Sequence, residues 1–235
     1  MVYGRAIVQL PRARTWLCSG VDSLLGIDVS AAQGARLDWP AIAASDIRFA
    51  ICKATEHVGY TDPTFARNAV AAAQAGLIVG SYHVLRPEAD ADRQARRYFD
   101  VAGAASEMPP VLDFELTGGV AGAEVHLRAI AFVEATEALW GRPCIVYTGV
   151  GFWGLIGDPE SPALAERPLW VAHYGVSTPA IPKPWRRAGW TMWQFDGNGG
   201  RKLPGGIDSD FDWFAGDDEA LRQLCERPAA TCGPA

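Results

Sequence analysis

The chain has 235 residues, of which 49% are hydrophobic and 20% are charged, and its formal net charge at pH 7 is −6. This length suits one large domain or two small ones, and α/β barrels of this size often form a single domain. No block of Lys and Arg residues gives the electrostatic footprint of a nucleic-acid-binding protein, and no apolar run approaches the ~18 residues of a membrane span. We therefore expect no nucleic-acid binding, no membrane insertion and a monomeric state.

The two ends of the chain carry little pattern. Residues 1–24 form a leader with scattered arginines and no sustained apolar segment, so we identify no secretory signal in it. The five cysteines have no metal-ligand spacing, and an odd number cannot all pair internally. Cys225 and Cys232 flank a short loop at the start of the predicted tail, residues 226–235, and a disulfide between them stays open. We expect one domain over residues 25–225.

Short apolar runs alternate with amphipathic segments along this domain. We predict eight strands, at residues 24–30, 48–55, 77–85, 109–115, 143–149, 168–175, 190–197 and 207–214. We predict helices from near Asp38, where Asp caps a turn that contains Pro40, and at residues 62–76, 89–105, 121–141 and 217–225, with a short helical turn at 152–156.

The alternation of strands and helices predicts parallel βαβ units and therefore an α/β fold. Eight strands suggest a closed barrel of the TIM type, and the lack of full helices between the last three strands makes that barrel irregular. A doubly wound open sheet is the structural alternative. In a β/α barrel the active site lies at the carboxyl ends of the strands.

Polar residues follow the apolar run in strand after strand, where a barrel would place its active site. They are Asp28, Lys53, Tyr82, His83, Asp113, Glu115, Tyr147, His173, Tyr174 and Gln194. Strand ends are commonly wet and polar, which explains one or two such positions. It explains seven converging strands less well.

The segment PPVLDFE holds the most informative pair, Asp113 and Glu115. Residues two apart in a strand share a face, so we expect these carboxyls to point the same way while Phe114 points to the other side. Two close carboxylates do not easily ionise together, so one pKa rises and a proton donor is available near neutral pH. Cleavage of a glycosidic bond needs such a donor together with a negative group.

A second acidic group lies near the barrel seam. Strands one and eight are neighbours in a closed barrel, so Asp28 would meet the cluster Asp208, Asp210 and Asp212. Such a cluster could bind a metal ion, but hard cations take six or more oxygen ligands, and neither an EF-hand-like loop nor a histidine-based triad is present. We expect no metal ion and no cofactor.

Ordered segments across the domain resemble one known family. They are GIDVS, DW, IRFAICKATEHVGYTDPTF, AGLIVGSYHVLRP, QARRYF, PPVLDFE, IVYTG with FW, LWVAHYG, MWQF and DFDWFAG. In this order they are similar to glycoside hydrolase family 25, over about four fifths of the chain, from Gly26 to Gly216. An ordered set of segments is far more specific than any one of them.

The resemblance implies a barrel of five β/α units followed by three strands. It also implies a lysozyme that hydrolyses the β-1,4 bond between N-acetylmuramic acid and N-acetylglucosamine in bacterial peptidoglycan. Without an identified signal or wall-binding repeat, the chain resembles a phage or prophage endolysin, which reaches the wall when a holin opens the membrane. Secretion by an unrecognised route is the alternative.

The resemblance also assigns roles to individual positions. Glu115 becomes the general acid, Asp113 the partner that polarises the substrate's N-acetyl group, and Asp28 a supporting carboxylate. The fourth carboxylate falls on Asp210, four residues before Phe214, with Asp208 and Asp212 as alternatives. The substrate-binding positions are Lys53, Tyr82, His83, Tyr147, Tyr174, Trp193 and Gln194. The chain departs from the family at His57, where a glycine usually follows the glutamate.

Two other functions compete with this interpretation. A chitinase with a D-x-x-D-x-D-x-E strand would need acids at Met108 and Val111, which are apolar here. A sugar-binding barrel that has lost catalysis would normally lack one of the acids, yet Glu115, Asp113 and Asp28 are all present. A glycoside hydrolase therefore remains the favoured function.

Overall fold

Eight strands form a closed barrel, as the sequence predicts. The computed structural model describes residues 23–34, 36–197 and 199–226, so most of the predicted leader and all of the tail beyond residue 226, with Cys232, lie outside the described residues. The barrel strands are β1 (Ser23–Val29), β2 (Ile47–Glu56), β4 (Ile78–Val84), β5 (Val111–Asp113), β6 (Ile145–Gly149), β7 (Leu169–Ala172), β8 (Met192–Asp196) and β11 (Asp210–Ala215). Strand β1 pairs with both β2 and β11, which closes the sheet.

Helices connect the first strands on the outside of the barrel. They are α1 (Trp39–Ala43), α2 (Phe65–Gln74), α3 (Ala91–Ala102), α4 (Gly122–Trp140) and α5 (Val150–Leu155), and two further helices follow, α6 (Pro162–Ala165) and α7 (Asp218–Cys225). Short 3-10 turns span Ala31–Gln33 and Lys183–Trp185, and three two-residue strands are β3 (Tyr60–Thr61), β9 (Lys202–Leu203) and β10 (Ile207–Asp208). No helix among the described residues is long and apolar enough to cross a membrane.

Two helix ends form as their residues predict. The Asp38 side chain accepts a hydrogen bond from the backbone N–H of Ala41 at 3.1 Å, and Pro40 occupies the first turn of α1. Gly141 ends α4 in the left-handed conformation, with φ 67°, which costs a glycine little. These caps fix where the chain enters α1 and where it leaves α4 to re-enter the barrel.

The core has two layers, one inside the barrel and one between the sheet and the helices. Alternate strand residues fill the inside: Phe49, Ile51, Val111, Ile145, Trp170, Met192 and Phe214. Their neighbours face outward and pack under the helices, for example Ala50, Leu112, Val146 and Val171. Helix α7 adds its buried Leu221 to the inner cluster, and the Arg142 guanidinium donates a 2.8 Å hydrogen bond to the Leu224 carbonyl.

The predicted strand at 207–214 is wrong as a single element. It divides into β10, which pairs with β9 in a small hairpin, and β11, which enters the barrel antiparallel to both neighbours. An antiparallel neighbour needs no crossover helix, which explains the short connection after β8. The reversal also places the first residue of β11, Asp210, opposite Asp28 near the end of β1.

Candidate active site

A cavity of about 180 Å³ opens at the carboxyl ends of the parallel strands. A barrel places the loops after its strands at this end, so side chains from distant parts of the sequence meet there. The lining residues are Asp28, Tyr82, Asp113, Glu115, Tyr147, Trp170, Tyr174, Gln194, Gly197 and Asp210. Eight of these ten are among the sequence-predicted site residues, and Trp170 and Gly197 are not.

Asp113 and Glu115 both line the cavity, but not as two residues of one strand. Strand β5 ends at Asp113, so the predicted strand over 109–115 is too long, and Glu115 lies in the segment beyond it. Asp113 is buried, with 7% of its surface exposed, whereas Glu115 is exposed. Phe114 packs on the outside against Phe152 and Trp153. The pair therefore presents one deep carboxyl and one accessible carboxyl.

Burial raises the pKa values of the acids in the cavity, and neighbouring carboxyls add to the effect at Asp28 and Asp113. Burial raises the pKa of Asp28, and the negative charges of Asp210 and Glu115 raise it further. Burial and Glu115 raise the pKa of Asp113, against the opposing effect of the Lys53 ammonium. Although Glu115 as a residue is exposed, partial desolvation of its carboxyl in the cavity raises its pKa, and the Lys53 ammonium opposes this rise. A carboxyl in the cavity therefore stays protonated up to a higher pH than an isolated carboxyl does.

The three acids of the final segment occupy different environments. Asp210 lines the cavity, as the family spacing implies. Asp208 lies in the β9–β10 hairpin and forms an ion pair with Lys202. Asp212 is completely buried inside the barrel, where one of its oxygens accepts a hydrogen bond from the Trp170 indole at 2.9 Å.

A hydrogen-bond network fixes the Gln194 side chain. Its amide N–H donates to Asp28 Oδ2 at 2.6 Å, and its carbonyl oxygen accepts hydrogen bonds from the hydroxyls of Tyr147 at 2.8 Å and Tyr174 at 2.5 Å. In this arrangement both tyrosine hydroxyls donate to the amide oxygen, and the amide N–H remains for Asp28. Gln194 therefore aims a donor at Asp28.

Lys53 lies beside the cavity without being among its lining residues. Its ammonium pairs with Glu56 at 2.7 Å, and the Arg86 guanidinium pairs with the other oxygen of Glu56. The same ammonium lies 5.5 Å from the centre of the Tyr60 ring. Two cations and one anion give this cluster a net charge of +1, and the Lys53 ammonium opposes the rise in the pKa of Asp113 and of Glu115.

His83 and Trp193 do not reach the cavity. The His83 ring is fully buried on the outer side of β4, bonded to Thr55 at 2.7 Å and to Gln94 at 3.1 Å, and burial lowers its pKa to about 4. The Trp193 indole donates to the His173 carbonyl at 2.8 Å on the outer side of β8. Their inward-facing neighbours, Tyr82 and Gln194, line the cavity instead.

Trp170 is one of the two lining residues that the sequence analysis missed, and the other is Gly197. Its signal was its place in β7, two residues before Ala172, which packs against the inner cluster. Residues two apart in a strand share a face, so Trp170 also points inward. An apolar residue inside an apolar run does not stand out as a site residue, whereas the carboxyls do.

The residue that departs from the family pattern after Glu56, His57, has a strained backbone. Its φ is 55°, in the left-handed region that a non-glycine residue adopts at a cost of about 1–2 kcal/mol. A glycine takes this conformation without that cost. The chain therefore keeps the loop shape that a glycine would allow and accepts strain to do so.

The described residues show no group of three or more His, Cys, Asp or Glu side chains arranged to hold a metal ion. The absence of a metal requirement stays a prediction.

Much of the chain matches known proteins in sequence. Residues 27–202 match the family described as glycosyl hydrolases family 25. Lysozyme M1 of Streptomyces globisporus is 31% identical over 225 residues, which cover 91% of this chain and 74% of that protein. The N,O-diacetylmuramidase of a Chalaropsis species is 28% identical over 184 residues, covering 72% and 86%.

Solved structures share the fold. The bacterial lysozyme from Streptomyces coelicolor superposes with a TM-score of 0.78 at 30% identity, covering 86% of this chain and 96% of that one. The muramidase from Trichobolus zukalii gives a TM-score of 0.75 at 30% identity, covering 86% and 98%.

Proposed function

The chain belongs to glycoside hydrolase family 25 and is a lysozyme that hydrolyses peptidoglycan, and we propose that it cuts the β-1,4 bond between N-acetylmuramic acid and N-acetylglucosamine with Glu115 as the general acid. The observation that carries the assignment is the position of Glu115, which is exposed to the cavity while three other lining carboxyls surround it. A general acid must reach the leaving oxygen and also be protonated. Accessibility supports the first requirement, and the raised pKa of Glu115 supports the second.

We propose that Asp113 assists the substrate's own acetamido group. Its side chain lines the cavity, and its buried oxygen Oδ1 has no hydrogen-bond partner among the described residues, so a turn of the carboxyl can bring an unpaired acceptor to the acetamido N–H of the muramic acid. The acetamido oxygen then attacks the anomeric carbon as the bond to the leaving oxygen breaks. The Glu115 proton moves to that oxygen, and Asp113 stabilises the positive charge that develops on the acetamido nitrogen.

Water completes the reaction in this proposal. The Glu115 carboxylate takes a proton from a water molecule, whose oxygen bonds to the anomeric carbon and releases the acetamido oxygen. The overall result is hydrolysis with retention of the anomeric configuration.

An inverting path is the alternative mechanism, with Asp28 or Asp210 activating a water molecule. The Gln194 amide N–H occupies Asp28 Oδ2 at 2.6 Å, which leaves one oxygen of Asp28 for a water molecule. The two paths differ in the anomer that is formed first, and that difference is the basis of the mechanistic test.

The bond assignment is tested by digesting purified peptidoglycan and identifying the new ends by mass spectrometry. Reducing muramic acid ends are expected. Reducing glucosamine ends would assign the other glycosidic bond, and freed peptides would indicate an amidase or peptidase.

The mechanism has a separate test, proton NMR of the product formed first, before mutarotation. A β anomer is expected, and an α anomer would mean inversion. A muramic acid analogue with an amine in place of the acetamide should react far more slowly, and equal rates would refute assistance even with a β product.

A further inference from the structure

Asp212 is a buried carboxyl that the proposed mechanism does not use. It lies two residues after Asp210 in β11, so both side chains face the inside of the barrel, and none of its surface is exposed. Its backbone pairs with Gly26 of β1 and Gln194 of β8. A carboxyl buried at such a position is costly unless it serves a contact that an apolar residue cannot make.

The contact that Asp212 makes is to the cavity lining. Asp212 Oδ1 accepts a 2.9 Å hydrogen bond from the indole N–H of Trp170, which projects from β7 on the far side of β8. The second oxygen, Oδ2, is buried without a hydrogen-bond partner among the described residues. The indole is therefore the one polar group that the described structure offers to this carboxyl.

Trp170 in turn supports two tyrosines of the cavity wall. Its ring meets Tyr147 edge-on, with centroids 4.8 Å apart, and meets Tyr82 at 6.5 Å. All three rings line the cavity, and we call them the aromatic floor. Because edge-on contacts depend on ring orientation, a rotation of the indole would displace both tyrosines.

We infer that Asp212 is a positioning residue that fixes the aromatic floor through its hydrogen bond to Trp170, and so sets how tightly the glycan is held. The inference rests on the proposed function, because it takes the cavity as the glycan site. Asp212 then acts only through its hydrogen bond to Trp170 and does not contact the substrate.

The neutral form of Asp212 suits this task. Burial raises its pKa, and the nearby carboxyl of Asp28 raises it further. A neutral acid still offers an acceptor oxygen to the indole, and the carbonyl of asparagine offers the same at any pH. The amide therefore separates the role of the hydrogen bond from that of a charge or a transferable proton.

The test compares Asp212→Asn, Asp212→Leu, Trp170→Phe and the double variant Asp212→Leu/Trp170→Phe. KM and kcat are measured with soluble peptidoglycan fragments. Asp212→Asn should stay within about threefold of the parent in both constants. Asp212→Leu and Trp170→Phe should each raise KM by up to about fivefold, because the free energy of one ordinary hydrogen bond limits how far its loss can favour a displaced ring, with a smaller change in kcat.

The double variant distinguishes positioning from independent effects. Both single changes remove the same hydrogen bond, so the double variant should be no worse than the poorer single variant. Multiplied effects would overturn the inference. So would an inactive Asp212→Asn variant, which would indicate that the acid's proton or charge is needed, or an Asp212→Leu variant with parental KM.

Two controls keep the outcome decisive. If Asp212→Leu does not fold, the inference is still tested by the other two single variants. KM should rise in Trp170→Phe and stay near the parental value in Asp212→Asn. Calorimetric binding of the same fragments to each variant reports on the aromatic floor even if another bond is cut. Failure of the bond assignment is read separately, from the product ends released by the parent protein.

Discussion

At the scale of single residues, Asp210 gives the clearest link between charge and stability. Burial, together with the charges of Asp196 and Glu115, raises the pKa of Asp210 from 3.8 to about 6. The folded protein therefore binds more protons at this site than the unfolded chain between about pH 4 and pH 6. The stability that this group contributes is present at low pH and is lost as the pH rises through 6.

The Asp210→Asn variant should not lose stability at this site as the pH rises, because an amide stays neutral at every pH. The variant should melt at nearly the same temperature as the parent at pH 4 and at a higher temperature at pH 7. Thermal unfolding at several pH values between 4 and 7 measures the difference.

The matched control is Asp208→Asn, in the exposed hairpin. It removes an ion pair with Lys202, so it should change the melting temperature only slightly, and downward, at pH 7. A gap between Asp210→Asn and the parent that stayed constant with pH would contradict the assigned pKa.

Adjacent residues show what a sequence can and cannot predict about the cavity. Residue type and strand position predicted Tyr82, His83 and Gln194, and the family resemblance added Trp193. Side chains of a strand alternate between its faces, so only one of two adjacent residues can face the cavity. Applying the alternation strictly would have excluded the outward residues, and Trp170 needed the packed barrel to be recognised.

At the scale of elements, the loop after β2 carries measurable strain. His57 occupies the left-handed region with φ 55°, where Cβ lies too close to the backbone carbonyl oxygen that follows it. A glycine has no Cβ and avoids this clash. His57→Gly should raise the free energy of unfolding by up to about 1 kcal/mol, since the greater entropy of glycine in the unfolded chain offsets part of the gain. Denaturant unfolding measures the change.

His57→Ala is the control for this prediction. It removes the imidazole but keeps the Cβ, so it should not gain stability. A gain as large as that of His57→Gly would show that the side chain, and not the backbone conformation, causes the strain.

Element ends were less predictable than element order. The apolar pattern of 109–115 predicted one strand, whereas β5 stops at Asp113 and leaves Glu115 in the following segment. The apolar pattern of the sequence also did not predict whether the final strand, β11, runs parallel or antiparallel to its neighbours. Its antiparallel pairing depends on closure of the sheet between β1 and β8, which is a tertiary constraint that local sequence does not carry.

At the scale of the whole molecule, the barrel brings carboxyls from β1, β5 and β11 to one end of the fold. Strand count and the order of family segments predicted this architecture because both depend on the whole chain. The site then depends on closure of the barrel, since Asp28 and Asp210 lie 182 positions apart in sequence and are paired by strand register.

Activity is expected without added metal. Proton transfer by Glu115 and charge stabilisation by Asp113 complete the proposed reaction without a metal ion. Exhaustive treatment with EDTA should leave wall lysis unchanged. Loss of lysis that Mg²⁺ or Zn²⁺ restores would contradict the prediction.

In the proposed mechanism, Glu115 supplies the proton for glycosidic cleavage. Glu115→Gln keeps the shape of the side chain but cannot donate that proton, and general acids typically contribute ~100-fold or more to the rate. Glu124→Gln is the matched control, because Glu124 is exposed on α4 and pairs with Arg128 outside the cavity.

The decisive measurement is the initial rate of peptidoglycan hydrolysis by both variants, with thermal unfolding to verify that each is folded. The expected loss is about 100-fold or more for Glu115→Gln, with a near-parental rate for Glu124→Gln. A folded Glu115→Gln variant that retained more than about a tenth of the parental rate would contradict the proposed mechanism.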